Sequence, residues 1–152
     1  IFRRIINYWV FNMIINGEGA ILGRMAAVAA KSALKGEQVT VVNAEKIIIS
    51  GNPRQIVERY KVRRSLKNKA DPEKSPKWPR RPDMLVRRII RGMLPYDKST
   101  GRQAFKRIRV YMGVPEEFAS KLKEAVEVKK NVPKNYISIN QLSRELGWYG
   151  KA

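Results

Sequence analysis

An ordered succession of strand, helix and strand signals in the first forty-odd residues constrains the fold most strongly. Residues 13–16 have the composition of a short buried strand, and a glycine-containing turn follows at residues 17–19. The alanine-rich residues 20–34 favour a helix, and Gly36 is placed to end it. The β-branched run at residues 38–43 predicts a second strand. Because a strand–helix–strand crossover leaves its two strands parallel, the sequence predicts an α/β layered fold.

Further elements follow along the chain, separated by glycine and proline. Residues 47–49 form another apolar run, and Asn52 with Pro53 then predicts a helix start that continues to about residue 66. Apolar spacing predicts a helix over residues 83–93, which Pro95 ends, and a basic loop over residues 96–102. The rest of the chain predicts a strand at 107–112, a helix at 115–130, a strand at 136–139 and a helix at 141–146.

Positive charge dominates the composition and is concentrated in the middle of the chain. The 152 residues include 32 Lys and Arg against 13 Asp and Glu, a formal net charge of +19. Residues 61–109 carry 17 of the basic side chains and 4 of the acidic ones. Self-repulsion of this size opposes a compact state unless a partner of opposite charge neutralises it. The charge therefore indicates nucleic acid or an anionic membrane as the partner.

Two basic runs make up this middle third. The first, at residues 61–81, holds nine basic residues and leads through a segment with four prolines at residues 68–82, for which we predict an extended loop. The outer face of the preceding helix is expected to carry Arg59, Lys61, Arg63, Arg64 and Lys67. The second run, at residues 87–109, lies on predicted helix and strand, and the two runs together favour phosphate binding. Trp78 is equally compatible with stacking on a base and with packing on the protein.

The residue types present exclude most enzyme chemistry. The chain has no cysteine and no histidine, which removes thiolate nucleophiles, imidazole bases and the usual zinc ligand sets. Hydrophobic residues make up 43% of the chain, enough for one real core. The apolar run within residues 1–15 is too short to span a bilayer and lacks a small-residue cleavage site, so we expect a cytoplasmic protein.

A glycine pattern at residues 17–23 raises the alternative of a nucleotide site. Gly17, Gly19 and Gly23 follow a predicted strand and precede a helix, and Glu45 lies just beyond the next strand. That order is typical of dinucleotide-binding folds, and would make the chain a small nucleotide-dependent oxidoreductase. The last glycine falls one residue late, however. The competing interpretation is a tight turn with close packing of the helix on the sheet through Gly23.

Six short motifs, in order, resemble the large-subunit ribosomal protein family L-thirteen, archaeal type. They are Ile21-Leu-Gly-Arg24, Val41-Val-Asn-Ala-Glu-Lys46, Ile49-Ser-Gly51, Arg91-Gly-Met-Leu-Pro95, Gly101-Arg102 and Val110-Tyr-Met-Gly-Val-Pro115. The ending Glu145-Leu-Gly-Trp148 is similar to archaeal members. The resemblance implies a three-layer α/β/α fold around a small parallel sheet with long basic loops. It also implies a non-catalytic protein without cofactor that binds and organises large-subunit ribosomal RNA during subunit assembly and translation.

The resemblance and the basic runs together define the expected RNA-binding residues. The Arg91 to Pro95 segment, the Gly101-Arg102 loop and the basic start of the Arg107 strand come from the family motifs. The complete set comprises Arg24, Lys46, Lys61, Arg63, Arg64, Lys67, Lys77, Arg80, Arg81, Arg87, Arg88, Arg91, Lys98, Arg102, Lys106, Arg107 and Arg109.

The expected partners follow from the same resemblance. They are large-subunit (23S-type) ribosomal RNA and neighbouring large-subunit proteins, with no membrane, metal or small-molecule substrate. The positive charge also supports a competing hypothesis, that the chain is a chromatin-type DNA-binding protein.

The start of the chain departs from the family pattern. Residues 1–12 precede Met13, where many family members begin, and no methionine stands at position 1. We treat these residues as an N-terminal extension and residues 13–152 as one ribosomal-protein domain. The extension is either specific to the lineage or sequence upstream of the true start codon, and both interpretations stay open.

Overall fold

The computed structural model describes residues 12–128 and 132–150, and it confirms the first predicted unit. Strand β1 (Asn12–Asn16) leads into helix α1 (Leu22–Lys35), which is followed by strand β2 (Gln38–Val42). The two strands pair in parallel, with Ile14 opposite Thr40. Helix α1 ends at Gly36, whose φ of 103° is a left-handed conformation that glycine adopts without strain.

The main sheet has four parallel strands, which confirms the α/β class. Strands β4 (Ile108–Val110) and β5 (Val126–Glu127) complete it, in the order β4-β2-β1-β5. In β2, Val39 and Val41 belong to the main hydrophobic core, and Thr40 and Val42, on the other face of the strand, are also buried. A central strand of a parallel sheet is covered on both faces, and β2 meets that requirement.

A smaller antiparallel sheet and four longer helices surround this centre. Strand β3 (Ile48–Ser50) pairs with strand β6 (Tyr136–Ser138). Helix α2 (Pro53–Ser65) begins as predicted, with the Asn52 side chain accepting a hydrogen bond from the Arg54 backbone N–H at 3.1 Å. Helices α3 (Pro82–Gly92) and α4 (Ser99–Lys106) precede β4, and helix α6 (Ile139–Glu145) follows β6.

The predicted helix over residues 115–130 is wrong. Its acidic start does form a short helix, α5 (Glu116–Ala119), but the chain then tightens into a 3-10 turn at Ser120–Glu124. Ala125 is extended, and Val126 pairs with Ile15 of β1 as the edge strand of the main sheet. Sheet pairing with a distant strand thus overrides the local helix preference in this segment.

Two smaller expectations also fail. Arg102 lies within helix α4, whereas the sequence predicted a loop that extended to this residue. Gly23 is exposed, and a Cβ added there would meet nothing within 4 Å, so it does not provide the predicted close packing. Residues 1–11 lie outside the described residues, and Asn12, which the sequence assigned to the extension, is the first residue of β1.

Candidate nucleic-acid interface

Helix α3 places three arginines beside one another on a partly exposed face. Its apolar residues Leu85, Val86 and Ile90 are fully buried in the core, which fixes the rotation of the helix. Arg87, Arg88 and Arg91 lie at the edge of the buried stripe and are half-buried. Arg91 lies four residues after Arg87 and three after Arg88, the two spacings at which side chains are neighbours on a helix surface. The core contacts of α3 therefore determine where these three guanidinium groups lie.

Two pairs of aromatic rings flank the arginines. Trp78, from the proline-rich loop, meets Tyr60 of α2 edge to face, with ring centroids 5.8 Å apart. Tyr96, in the turn after α3, meets Phe105 of α4 in the same geometry at 5.6 Å. Offset or edge-to-face contacts are the favourable arrangement for such rings. The loop before α3 and the turn and helix after it thus each contribute one aromatic wall.

The guanidinium groups lie over these rings. The Cζ atom of Arg91 is 3.9 Å from the centre of the Tyr96 ring, and that of Arg87 is 4.6 Å from the centre of the Phe105 ring. Trp78 receives Arg63 at 5.1 Å and Arg88 at 5.5 Å. A cation–π contact uses the face of the guanidinium and leaves the N–H groups at its edge available as donors.

These side chains line two adjoining depressions, which together we call the arginine–aromatic groove. Both depressions include Trp78, Arg88 and Arg91. One has a volume of about 400 Å³ and reaches Arg87 and Phe105. The other has a volume of about 300 Å³ and reaches Tyr96. The groove is therefore concave, basic and aromatic at once.

The arginines of the groove form no ion pair within the described residues, although Asp97 also lines the smaller depression. Among residues 12–128 and 132–150, no carboxylate lies within ion-pair distance of Arg63, Arg87, Arg88 or Arg91. Nearby, Arg64 donates to the backbone carbonyl of Trp78. Burial, and secondarily the charge of Arg80, lowers the pKa of the Arg64 guanidinium. The smaller contribution of Arg80 reflects repulsion between two positive charges, which a nearby anion would offset.

The sequence predicted Arg63 and Arg64 on the outer face of α2, and the structure corrects this. Both are half-buried and turn toward Trp78, whereas Arg59 and Lys61 are exposed. The sequence prediction also omitted Tyr60, Tyr96 and Phe105. No local pattern in the sequence indicates these rings, because they come together only through the tertiary fold.

The other predicted cations divide into four groups. Lys77 lines the groove, and Arg109 lines a smaller neighbouring depression of about 200 Å³ with Arg87. Arg107 is half-buried and donates to the Ala33 carbonyl at 3.5 Å. Three cations pair with carboxylates: Lys46 with Glu18 at 3.1 Å, Lys61 with Glu145 at 3.9 Å, and Arg81 with Asp83 at 2.7 Å. The exposed remainder consists of Arg24, Lys67, Arg80, Lys98, Arg102 and Lys106.

Several of the sequence motifs have structural roles next to the groove. Gly101 is buried against the turn after α3, where an added Cβ would lie 2.0 Å from the Pro95 carbonyl oxygen. This close contact lets α4 pack against the turn that contains Tyr96. It thereby places Phe105 of α4 next to Tyr96. Absence of a side chain at position 101 is thus a condition for the closed shape of the groove.

The motifs at residues 41–46 and 110–115 bond to each other at the carboxyl edge of the sheet. Asn43 has a left-handed φ of 55°, and its backbone N–H donates to the Gly113 carbonyl at 2.9 Å. The buried Glu45 carboxylate accepts from the Gly113 N–H at 3.0 Å. The Asn43 side-chain amide donates to the Asn16 side chain at 3.0 Å. These bonds fix three loops that follow β1, β2 and β4.

The glycine turn suggested as a nucleotide site is filled by the protein itself. The Gly17 N–H donates to the Val42 carbonyl at 2.9 Å. A Cβ on Gly17 would lie 2.7 Å from Ile47 and 2.8 Å from that carbonyl oxygen. Gly17 therefore provides the close packing that the sequence assigned to Gly23.

No three Asp or Glu side chains of the described residues group as metal ligands, and none of the described helices is long and apolar enough to cross a membrane.

Comparison with known proteins identifies the family. Residues 11–117 match the family model described as ribosomal protein L13. The chain is 47% identical over 135 residues to large ribosomal subunit protein uL13 of Methanocaldococcus jannaschii, which covers 88% of this chain and 96% of that protein. It is 46% identical over 139 residues to uL13 of Methanococcus maripaludis, covering 89% and 97%. For uL13 of Archaeoglobus fulgidus the identity is 41% over 141 residues, covering 90% and 88%. The chain belongs to the ribosomal protein L13 family.

Proposed function

We propose that the chain is a structural, non-catalytic component of the large ribosomal subunit, where it binds and organises large-subunit RNA. The family relationship supports the ribosomal role, because the relatives are named as proteins of that subunit. The observation that carries the RNA-binding part is the arginine–aromatic groove. Its three arginines, Arg87, Arg88 and Arg91, rest on aromatic rings and, within the described part of the chain, have no carboxylate partner.

Arginines held in this way are suited to phosphate. Ordering a flexible side chain on binding costs entropy, and a cation–π contact with a ring has already ordered the guanidinium in the free protein. An ion pair with Asp or Glu would order it too, but would cancel its charge. The groove arginines therefore keep both their charge and the edge donors that form bidentate bonds to phosphate oxygens.

The partners we propose are 23S-type ribosomal RNA and the proteins adjacent to it in the large subunit, in the cytoplasm. The groove and the exposed cations beyond it, among them Arg102 on α4 and Arg24 on α1, would bridge phosphates of separate RNA helices. Recognition would depend mainly on RNA shape and backbone. The Gly17 turn is filled by Ile47 and Val42, so it does not favour the oxidoreductase. The relatives are named as ribosomal proteins, so they favour neither the oxidoreductase nor the chromatin protein.

A binding titration with paired charge reversals tests this proposal. The Arg88→Glu/Arg91→Glu variant should bind a large-subunit rRNA fragment at least about tenfold more weakly than wild type, because it removes two phosphate contacts and adds repulsion. The control, Lys31→Glu/Arg54→Glu, makes the same change in net charge at exposed positions outside the groove and should weaken binding much less. Equal losses in the two variants would contradict a specific role for the groove. Tighter binding of wild type to duplex DNA than to rRNA would favour a chromatin-type DNA-binding protein.

A further inference from the structure

We infer that the arginine–aromatic groove holds one unpaired base of the bound RNA, in addition to phosphates; this inference rests on the proposed function. The size of the groove is the first support. Its two depressions, of about 400 and 300 Å³, are at the small end of the range of roughly 300–1,000 Å³ for ligand pockets. That volume suits a single nucleotide.

The chemistry of the walls is the second support. Phosphate binding requires donors and positive charge, but it does not require apolar surface. The larger depression nevertheless includes Pro79 and Met84 together with Trp78, and Met84 is 48% exposed. Exposed apolar surface beside ordered arginines matches a nucleotide, whose base has an apolar face and whose backbone carries the charge.

The arginines themselves supply stacking surfaces. Arg91 lies 3.9 Å from the Tyr96 ring centre, and Arg88 lies 5.5 Å from that of Trp78. A base can stack on an aromatic ring or on the plane of a guanidinium. Bases within an RNA duplex are already paired and stacked on both faces. Only a base from a bulge, loop or end can therefore present a face to this groove.

The test compares two RNA hairpins that differ by one nucleotide. One is fully paired, and the other carries a single bulged 2-aminopurine, whose fluorescence falls when the base stacks on an aromatic group. Wild-type protein should bind the bulged hairpin roughly 5- to 150-fold more tightly at the same salt concentration, the range expected for one stacked base. The fluorescence should fall on binding.

Charge-conserving variants separate stacking from phosphate binding. Trp78→Ala should abolish the preference, but Trp78 also packs against the core and its removal affects folding. The Arg88→Lys/Arg91→Lys variant keeps both charges and loses the planar groups, so it should lose most of the preference for the bulged hairpin. Its affinity for the paired hairpin should fall less than its affinity for the bulged hairpin, because the charge is retained although the bidentate donors are lost.

The outcomes distinguish this inference from the function on which it rests. Equal binding of both hairpins by wild type, or full retention of the preference in the double lysine variant, would overturn the base site and leave RNA binding intact. Absence of binding to either hairpin and to large-subunit rRNA would reject the proposed function itself, and the base site with it.

Discussion

At the residue scale, the groove depends on single side chains that act through packing as well as charge. Arg87, Arg88 and Arg91 are held over aromatic rings, while Gly101 allows the neighbouring turn to close. The charged residues could be identified from the sequence because composition alone marks the basic runs. The rings could not, since Tyr96 and Phe105 meet only when α4 folds back on the turn after α3.

A matched pair of glycine substitutions tests the role of Gly101. Gly101→Ala should lower the free energy of unfolding by about 1–3 kcal/mol, because its Cβ would lie 2.0 Å from the Pro95 carbonyl oxygen and the backbone must shift. Gly23→Ala, exposed with open space around it in α1, should be neutral or stabilising by up to about 1 kcal/mol. Urea unfolding of both variants measures the difference, and equal stabilities would contradict the packing account.

Tyr60 gives the protein a pH dependence in the alkaline range. Burial raises the pKa of the Tyr60 phenol above its usual value of 10.0, although Arg63 and Arg59 oppose the shift. The neutral phenol is favoured in the folded state, so its contribution to stability is present below pH 10 and is lost as the pH rises through the folded-state pKa. Tyr60→Phe should therefore lose less stability than wild type between pH 9 and pH 11 in thermal unfolding. A steeper loss in Tyr60→Phe would contradict this sign.

At the element scale, the sequence patterns predict those helices and strands that depend mainly on interactions between residues close in sequence. The β1-α1-β2 unit, the Asn52 cap of α2 and the bounds of α2 and α3 are close to those predicted, whereas helix α4 was not predicted. The failure at residues 115–130 has a non-local cause, because Val126 leaves a helical pattern to pair with Ile15. Likewise, the Arg63 side chain lies over the Trp78 ring only because the loop over residues 68–82 returns across α2.

The bonded loops at the carboxyl edge of the sheet provide a prediction at this scale. Glu45→Ala removes the acceptor for the Gly113 N–H and should destabilise the fold by about 1–3 kcal/mol, the range for losing a hydrogen bond to a charged acceptor. Glu45→Gln retains a carbonyl acceptor and should cost less. Glu58→Ala, an exposed control on α2, should change the unfolding free energy by less than about 0.5 kcal/mol. A loss in Glu58→Ala as large as that in Glu45→Ala would contradict the assignment.

At the scale of the whole molecule, a compact α/β domain carries a net charge of +19. Lys and Arg that neutralise phosphates release the counterions of the RNA, which makes the affinity for RNA strongly dependent on salt. The logarithm of the affinity should fall linearly with the logarithm of salt concentration, by roughly 0.7–0.9 for each phosphate neutralised. Arg88→Gln/Arg91→Gln should reduce that slope by roughly 1.4–1.8, whereas Arg81→Gln should change it less because Asp83 already pairs with Arg81. An unchanged slope in the double variant would show that these arginines do not contact phosphates.

We expect the chain to be a structural part of the large ribosomal subunit in the cell. Sucrose-gradient sedimentation of native lysate at low and at high salt, with the chain detected by mass spectrometry, tests it most directly. The chain should sediment with the large subunit in a one-to-one ratio and stay there at high salt. Recovery of the chain in the soluble or DNA-bound fraction at both salt concentrations would contradict the ribosomal role.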